Sequence, residues 1–201
     1  MRRLIAGMKI SIDGMMEGPE GTADWVDAWS EDYGLTQEID ACLLGAGMYP
    51  GYERYWTAIR DEPDRPVWIT GNPPSAAEIE WSKFAEKTPH YVLSSTLTTA
   101  NWPQTRFLQT VDDVAALKRQ NGKAIYLMGG AQLTASLIDA GLVDEIRLLV
   151  YPLVAGHGRA LFAGMGRRHR FEPQKAETLP DGRLSLIYAT RPQAAAPAFA
   201  A

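Results

Sequence analysis

Three short apolar runs of this chain each end on small residues, at Leu44-Gly45-Ala46-Gly47, Leu93-Ser94-Ser95-Thr96 and Met128-Gly129-Gly130-Ala131. A strand that turns directly into a helix leaves backbone N–H groups unpaired at the helix N-terminus, where they and the helix dipole attract an anion. Glycine lets a ligand approach the backbone, and serine hydroxyls can donate to phosphate oxygens. In open α/β sheets such turns gather beyond the carboxyl ends of the strands, where ligands bind. Together they point to a nucleotide. The alternative is that the glycines only permit tight packing of strand on helix.

Other chemistries find no support. The chain lacks G-x-G-x-x-G after its first strand, and it lacks the P-loop, H-E-x-x-H, EF-hand and G-x-S-x-G patterns. Cys42 is the only cysteine, which excludes an intramolecular disulfide and a multi-cysteine zinc site, and its apolar neighbours mark it as a core thiol. His90, His157 and His169 are far apart, so packing or solvated roles are expected and no metal site is. A formal charge of −4 without a basic run argues against nucleic acid. With 46% apolar and 22% charged residues the composition is that of a globular protein. No run approaches the roughly 18 apolar residues of a membrane span, and Lys9 and Asp13 interrupt anything like a signal peptide. A cytoplasmic protein is the default expectation.

The elements that would position the turns follow from periodicity and punctuation. Strands are predicted over 4–12, 41–44, 66–70, 90–94, 124–128, 144–151 and 183–190. Helices are predicted from Ser30 to about Ile39, over 76–86, from a Thr110/Asp113 capping box to Gln120, and over 131–140 with Gly141 closing the end. Residues 15–24 read as a loop, and 193–201 as a disordered tail after a single domain over 1–192. Alternation of strand and helix predicts an α/β fold with a mixed, mostly parallel sheet covered on both faces, the last two strands antiparallel.

In this order the motifs resemble the reductase domain of bacterial riboflavin biosynthesis and the dihydrofolate-reductase-like superfamily. The likeness is carried by Met8-Lys9-Ile10-Ser11-Ile12-Asp13-Gly14, Leu43-Leu44-Gly45-Ala46-Gly47-Met48-Tyr49, Tyr91-Val92-Leu93-Ser94-Ser95 and Leu127-Met128-Gly129-Gly130-Ala131-Gln132-Leu133. Gly141-Leu142-Val143-Asp144-Glu145, Pro152-Leu153-Val154-Ala155-Gly156-His157-Gly158 and Leu161-Phe162 extend it over about 2–191. The resemblance implies NADPH in an extended groove, a small heterocyclic or ribosylaminopyrimidine-type substrate, and often a homodimer. Gly45, Ala46, Gly47 and Met48 would meet the cofactor's phosphates, and Leu93, Ser94 and Ser95 the adenosine end with its 2′-phosphate. Met128, Gly129, Gly130, Ala131, Gln132 and Leu133 would surround the pyrophosphate, with the paired glycines joined by a cis peptide as in dihydrofolate reductases. Ile12, Asp13 and Gly14 would begin a mobile loop beside the nicotinamide, Ile12 and Gly14 meeting the cofactor.

Two departures stand out. Ala46 replaces an arginine found in many relatives, which leaves the choice between NADPH and NADH open. Met128 replaces the glutamate of riboflavin-pathway reductases, which points away from the riboflavin precursor itself. The chain opens on the first reductase strand, so the deaminase domain often fused upstream is not expected.

Dihydrofolate reductases also keep a carboxylate after the mobile loop that helps protonate the substrate. By that resemblance the candidates are Asp24, Asp27, Glu31 and Asp32, among which Asp27, on the loop side, and Asp32, closest to the expected helix start, are taken as catalytic. Each could equally be a solvated acid at a helix N-terminus. Lys9 either enters the cleft, to neutralise a substrate phosphate, or faces away. Trp25, Trp29, Tyr49, Tyr52, Tyr55 and Trp56 either hold a flat heterocycle or fill the core. A nucleotide-binding protein of the same fold without turnover is the alternative to a reductase.

Overall fold

The computed structural model describes residues 1–190, and the tail expected to be disordered lies outside them. Along the chain come β1 (Leu4–Ser11), β2 (Met15–Glu17), β3 (Ile39–Gly45), α1 (Tyr49–Asp61), α2 (Ala76–Lys87), β4 (His90–Leu93), β5 (Thr105–Leu108) and α3 (Val111–Arg119). Then follow β6 (Ala124–Gly129), α4 (Ala131–Asp139), β7 (Glu145–Tyr151), β8 (Arg159–Ala160), β9 (Phe171–Thr178) and β10 (Leu184–Thr190). An eight-stranded sheet runs in the order β5-β4-β3-β6-β1-β7-β10-β9, and β2 pairs with β8 beside it. The pairings from β5 to β7 are parallel, and β10 runs antiparallel to both β7 and β9. The fold is the expected α/β type with a mixed, mostly parallel sheet.

Alternation along the strands divides the core in two, because successive side chains point to opposite faces. Ile5, Cys42, Leu44 and Tyr126 face α1 and α2, where Tyr49, Tyr52, Tyr55, Trp56 and Trp81 pack. Leu4, Ala6, Met8, Leu43, Ile125 and Leu127 face α3 and α4, against Val114, Leu117, Leu137 and Ile138. The four aromatic residues of α1 are therefore core, each 6% exposed or less.

Two predicted elements are absent. No helix forms over 30–39, because the Glu31 carboxylate draws in the N–H groups of Tyr33, Leu35 and Thr36 and closes the segment on itself. The Ser30 hydroxyl, expected as a cap, instead donates to Asp32 at 2.7 Å. Residues 66–70 form a turn in place of a strand: Gly71 N–H donates to Val67 C=O at 2.7 Å, and Val67 N–H to Asn72 C=O at 2.9 Å. Sequence reading also missed β9, whose Pro173 and charged residues suit only an edge strand.

The irregular segment before β3 is tied to the helical layer by one buried acid. Glu78 closes the capping box of α2 with Ser75, and it also accepts the Trp29 N–H at 2.9 Å and the Tyr55 hydroxyl at 2.8 Å. Glu78→Ala would leave these buried donors without a partner, and urea denaturation should show a loss of about 3 kcal/mol. Glu78→Gln, which keeps one accepting oxygen, should lose less.

Candidate functional site

The parallel register brings the three turns together. Gly45 lies opposite Leu93, and Leu44 opposite Gly129. Ala46 N–H donates to Leu93 C=O at 3.3 Å, and a Cβ on Gly45 would stand 3.7 Å from Leu133. The connection from β3 leads toward β4, whereas that from β6 leads across to β7, so the crevice between β3 and β6 is the switch point of the sheet.

The helices at this crevice differ from the others. α2 and α3 are closed by complete capping boxes, Ser75/Glu78 and Thr110/Asp113. α1, entered through Met48, and α4, entered through Gly130, have no side-chain cap. Their first N–H groups are left for water or a ligand, except at Pro50 of α1, which has none. Beneath the paired-glycine turn, the fully buried hydroxyl of Thr134 has no hydrogen-bond partner.

The two glycines of that turn do different work. Both have positive φ, +87° and +89°. A Cβ on Gly129 would overlap the Met8 thioether and stand 3.0 Å from the Thr134 hydroxyl, so packing demands this glycine. A Cβ on Gly130 would meet nothing within 4 Å, as befits a position kept clear for a ligand. The bond between them is trans, contrary to the expectation from dihydrofolate reductases.

The remaining predicted residues divide by surroundings. Gly47, Ser95 and Gln132 are exposed, Ala46, Met48, Leu93, Met128 and Leu133 are half-buried, and Ala131 is buried. Ser94 is occupied locally, its hydroxyl accepting from Thr96 N–H at 3.1 Å and Leu97 N–H at 2.7 Å. Ile12, 62% exposed, and Gly14 lie past the end of β1, farther along the same edge. There Asp13 fastens the segment after β7, accepting from Ala155 N–H at 3.0 Å and Gly156 N–H at 2.8 Å. The Ser11 hydroxyl and these two N–H groups hold its carboxyl at a pKa of about 2.

The two candidate acids separate. Asp27 is exposed and near enough to Tyr151 to act on its charge. Asp32 lies at the centre of an ion network, 3.1 Å from Lys9 Nζ and 3.1 Å from Arg183 Nη1. Lys9 faces inward and also donates to the Ala28 and Ser30 carbonyls, at 2.8 and 3.2 Å. Burial pushes the Lys9 pKa down against the pull of Asp32. Burial raises that of Asp32, but Lys9, Ser30 and Arg183 outweigh it and keep the carboxyl below its usual range. Arg183 was not foreseen; no motif marks it, and 151 residues separate it from Asp32.

Beyond β1 and β7 opens a cleft of about 340 Å³ lined by Gly18, Pro19, Asp24, Trp25, Leu153, Val154 and Ala155. Of the six aromatic candidates only Trp25 lines it, and Trp29 lies beside Lys9, 5.9 Å from its ammonium. The histidines do packing or surface work: buried His90 bonds Thr88 C=O and the Tyr52 hydroxyl, His169 pairs with Asp139, and His157 is exposed. Burial lifts the Cys42 thiol well above its ordinary range, as suits a core residue.

Residues 2–184 match the RibD C-terminal domain. The chain belongs to the RibD C-terminal domain family. The uncharacterized protein YyaP of Bacillus subtilis (strain 168) is 30% identical over 192 residues, 93% of this chain and 94% of that one. A putative riboflavin biosynthesis protein from Shewanella sp. PV-4 superposes with a TM-score of 0.66 at 20% identity, over 94% of this chain and 99% of the other. Dihydrofolate reductase from Enterococcus faecalis, complexed with NADP(H), does so with a TM-score of 0.57 at 14% identity, over 94% and 96%. The chain therefore has a reductase-type, dihydrofolate-reductase-like fold, and no helix among its described residues is long and apolar enough to cross a membrane.

Asp32→Asn would leave buried Lys9 with only carbonyl partners, at a cost of about 3 kcal/mol near neutral pH. Because the folded carboxyl titrates below its unfolded value of about 4, the stabilisation is present above that pH and is lost below it. Denaturation of wild type and variant at several pH values should show the gap closing as the solution is acidified through that range.

Proposed function

We propose that this protein is an NAD(P)H-dependent reductase of a small heterocyclic substrate. One observation carries the reading: the two helices without caps are the two that start at the switch-point crevice, and there the unpartnered Thr134 hydroxyl lies under an open glycine turn. This donor set fits a pyrophosphate-bearing cofactor. Gly47 and Gly130 to Leu133 would bind its phosphates through backbone N–H groups, Gly45, Ala46 and Met48 would shape the first turn around them, and Leu93 to Ser95 would flank its adenosine end. When bound, the cofactor supplies a hydride. Ile12, with the 153–156 segment held by Asp13, would exclude water from the reacting end.

For the proton, the two acids take different parts. Asp32, kept ionised by two cations, holds Lys9 in place. Asp27, exposed beside Tyr151, has the solvent access that a proton donor needs. The homodimer belongs to the same reading. It is supported by β9, which is exposed along all but its first residue, and sedimentation would test it.

Titration of tryptophan emission should show saturable binding of the reduced cofactor. Without an arginine at position 46, one charge-assisted bond to the 2′-phosphate is missing, an interaction of about 2 kcal/mol. NADPH and NADH should then bind within about tenfold of each other. A Cβ on Gly47 meets no atom within 4 Å, and its φ is not positive. Gly47→Val should therefore keep its melting temperature yet weaken binding about tenfold or more by blocking the phosphates. Unchanged affinity would remove this turn from the site. Binding without oxidation of the cofactor across a panel of pterins and pyrimidines would favour a nucleotide-binding protein without turnover.

A further inference from the structure

We infer that the substrate cleft takes an uncharged or cationic flat ring and rejects a phosphorylated one. This deepens the reductase reading and rests on it. Trp25, Leu153 and Val154 give the cleft apolar walls, and Asp24 is its one charged lining residue. At about 340 Å³ it has room for a one- or two-ring heterocycle.

The charges around it decide the class of ligand. A phosphate bound in such a place needs an arginine, a lysine or a helix N-terminus facing it. Among the described residues, the cations along this edge already serve carboxylates. Lys9 and Arg183 share Asp32, Arg183 also holds Asp181 at 2.7 Å, and Arg159 is 2.8 Å from Glu17. Lys9, moreover, is 4% exposed at its side chain, and its donors go to Asp32 and to two backbone carbonyls. The helix N-termini that could hold phosphate open at the crevice between β3 and β6, where the cofactor is placed. What faces the solvent at the mouth is acidic: Asp24 on the wall and Asp27 beyond it, both exposed. A phosphate entering here would meet like charge and, among the described residues, no free cation, the one unpartnered side-chain donor of the wall being the uncharged and buried Trp25 Nε1, whereas a neutral ring loses nothing and a cationic one gains.

The test uses matched one- and two-ring probes that differ only in the phosphate, uridine against uridine 5′-monophosphate and guanosine against guanosine 5′-monophosphate. Each is titrated by ligand-observed NMR into protein saturated with NADPH. The neutral member of at least one pair should bind tenfold or more tightly than its phosphorylated partner. The gap should narrow in Asp24→Asn/Asp27→Asn and in added salt. Equal or tighter binding of the phosphorylated members overturns the inference. So does failure of every probe to bind a protein that holds NADPH. If NADPH itself does not bind, the reductase reading fails separately, and the same pairs titrated into the free protein still report the sign of the cleft's preference.

Discussion

A parallel sheet buried on both faces leaves polar chemistry only one place to go. β1, β3 and β6 are packed between two apolar layers, and residues along them are almost all inaccessible. Unpaired backbone donors can therefore survive only where strands end and helices begin. Register then fixes which ends meet: with Leu44 opposite Gly129, the turns after β3 and β6 must be neighbours. Connections that depart in opposite directions keep the crevice between them open. The glycines at this edge follow from that crowding, and Gly129 shows it directly, since its missing Cβ is where Met8 packs.

The same burial explains the ion network. Lys9 sits on a strand whose neighbours are all buried, facing the layer that the irregular segment 23–36 must cover. That segment has no ladder of its own to order it. Carboxylates do so instead: Glu31 folds its end, Glu78 fastens Trp29, and Asp32 anchors it to Lys9 and, through Arg183, to the β9–β10 hairpin. An ion pair in such a place adds little net stability, because desolvation offsets attraction, but it fixes one geometry. Its removal would be felt as a buried charge left alone.

This division accounts for what could be read from the sequence. Strands of the sheet centre and the Thr110/Asp113 cap were legible because periodicity and capping are local. The three turns and their order carried the family. Residues 30–39 were misread for a physical reason: Ser30, Glu31 and Asp32 have the composition of a helix start, yet their side chains bond to one another and to nearby backbone, the competition that acids and serines offer to helices. Arg183 was invisible because its partner Asp32 lies 151 residues away, and β9, although it pairs with the next strand, because nothing in Phe171-Glu172-Pro173-Gln174 announces an edge strand. Of the aromatic residues, alternation alone could not tell the four that fill the core from Trp25, which lines the cleft.

The two departures from the family pattern gain meaning from the structure. Met128 packs against the α1–α2 core, so where the family resemblance would lead one to expect a glutamate this chain has an apolar contact. By the family resemblance Ala46 stands where many relatives have an arginine, and it offers no cation there. Both changes, with the pairing of Lys9 and Arg183 to Asp32, withdraw free charge from the carboxyl edge while leaving the backbone donors of α1 and α4 in place. Backbone N–H groups at a helix N-terminus can recognise a phosphate without a charged side chain beside them. Cofactor recognition of that kind can persist while side chains redefine the acceptor, and the proposed reading is that here they redefine it toward a ring with no phosphate of its own.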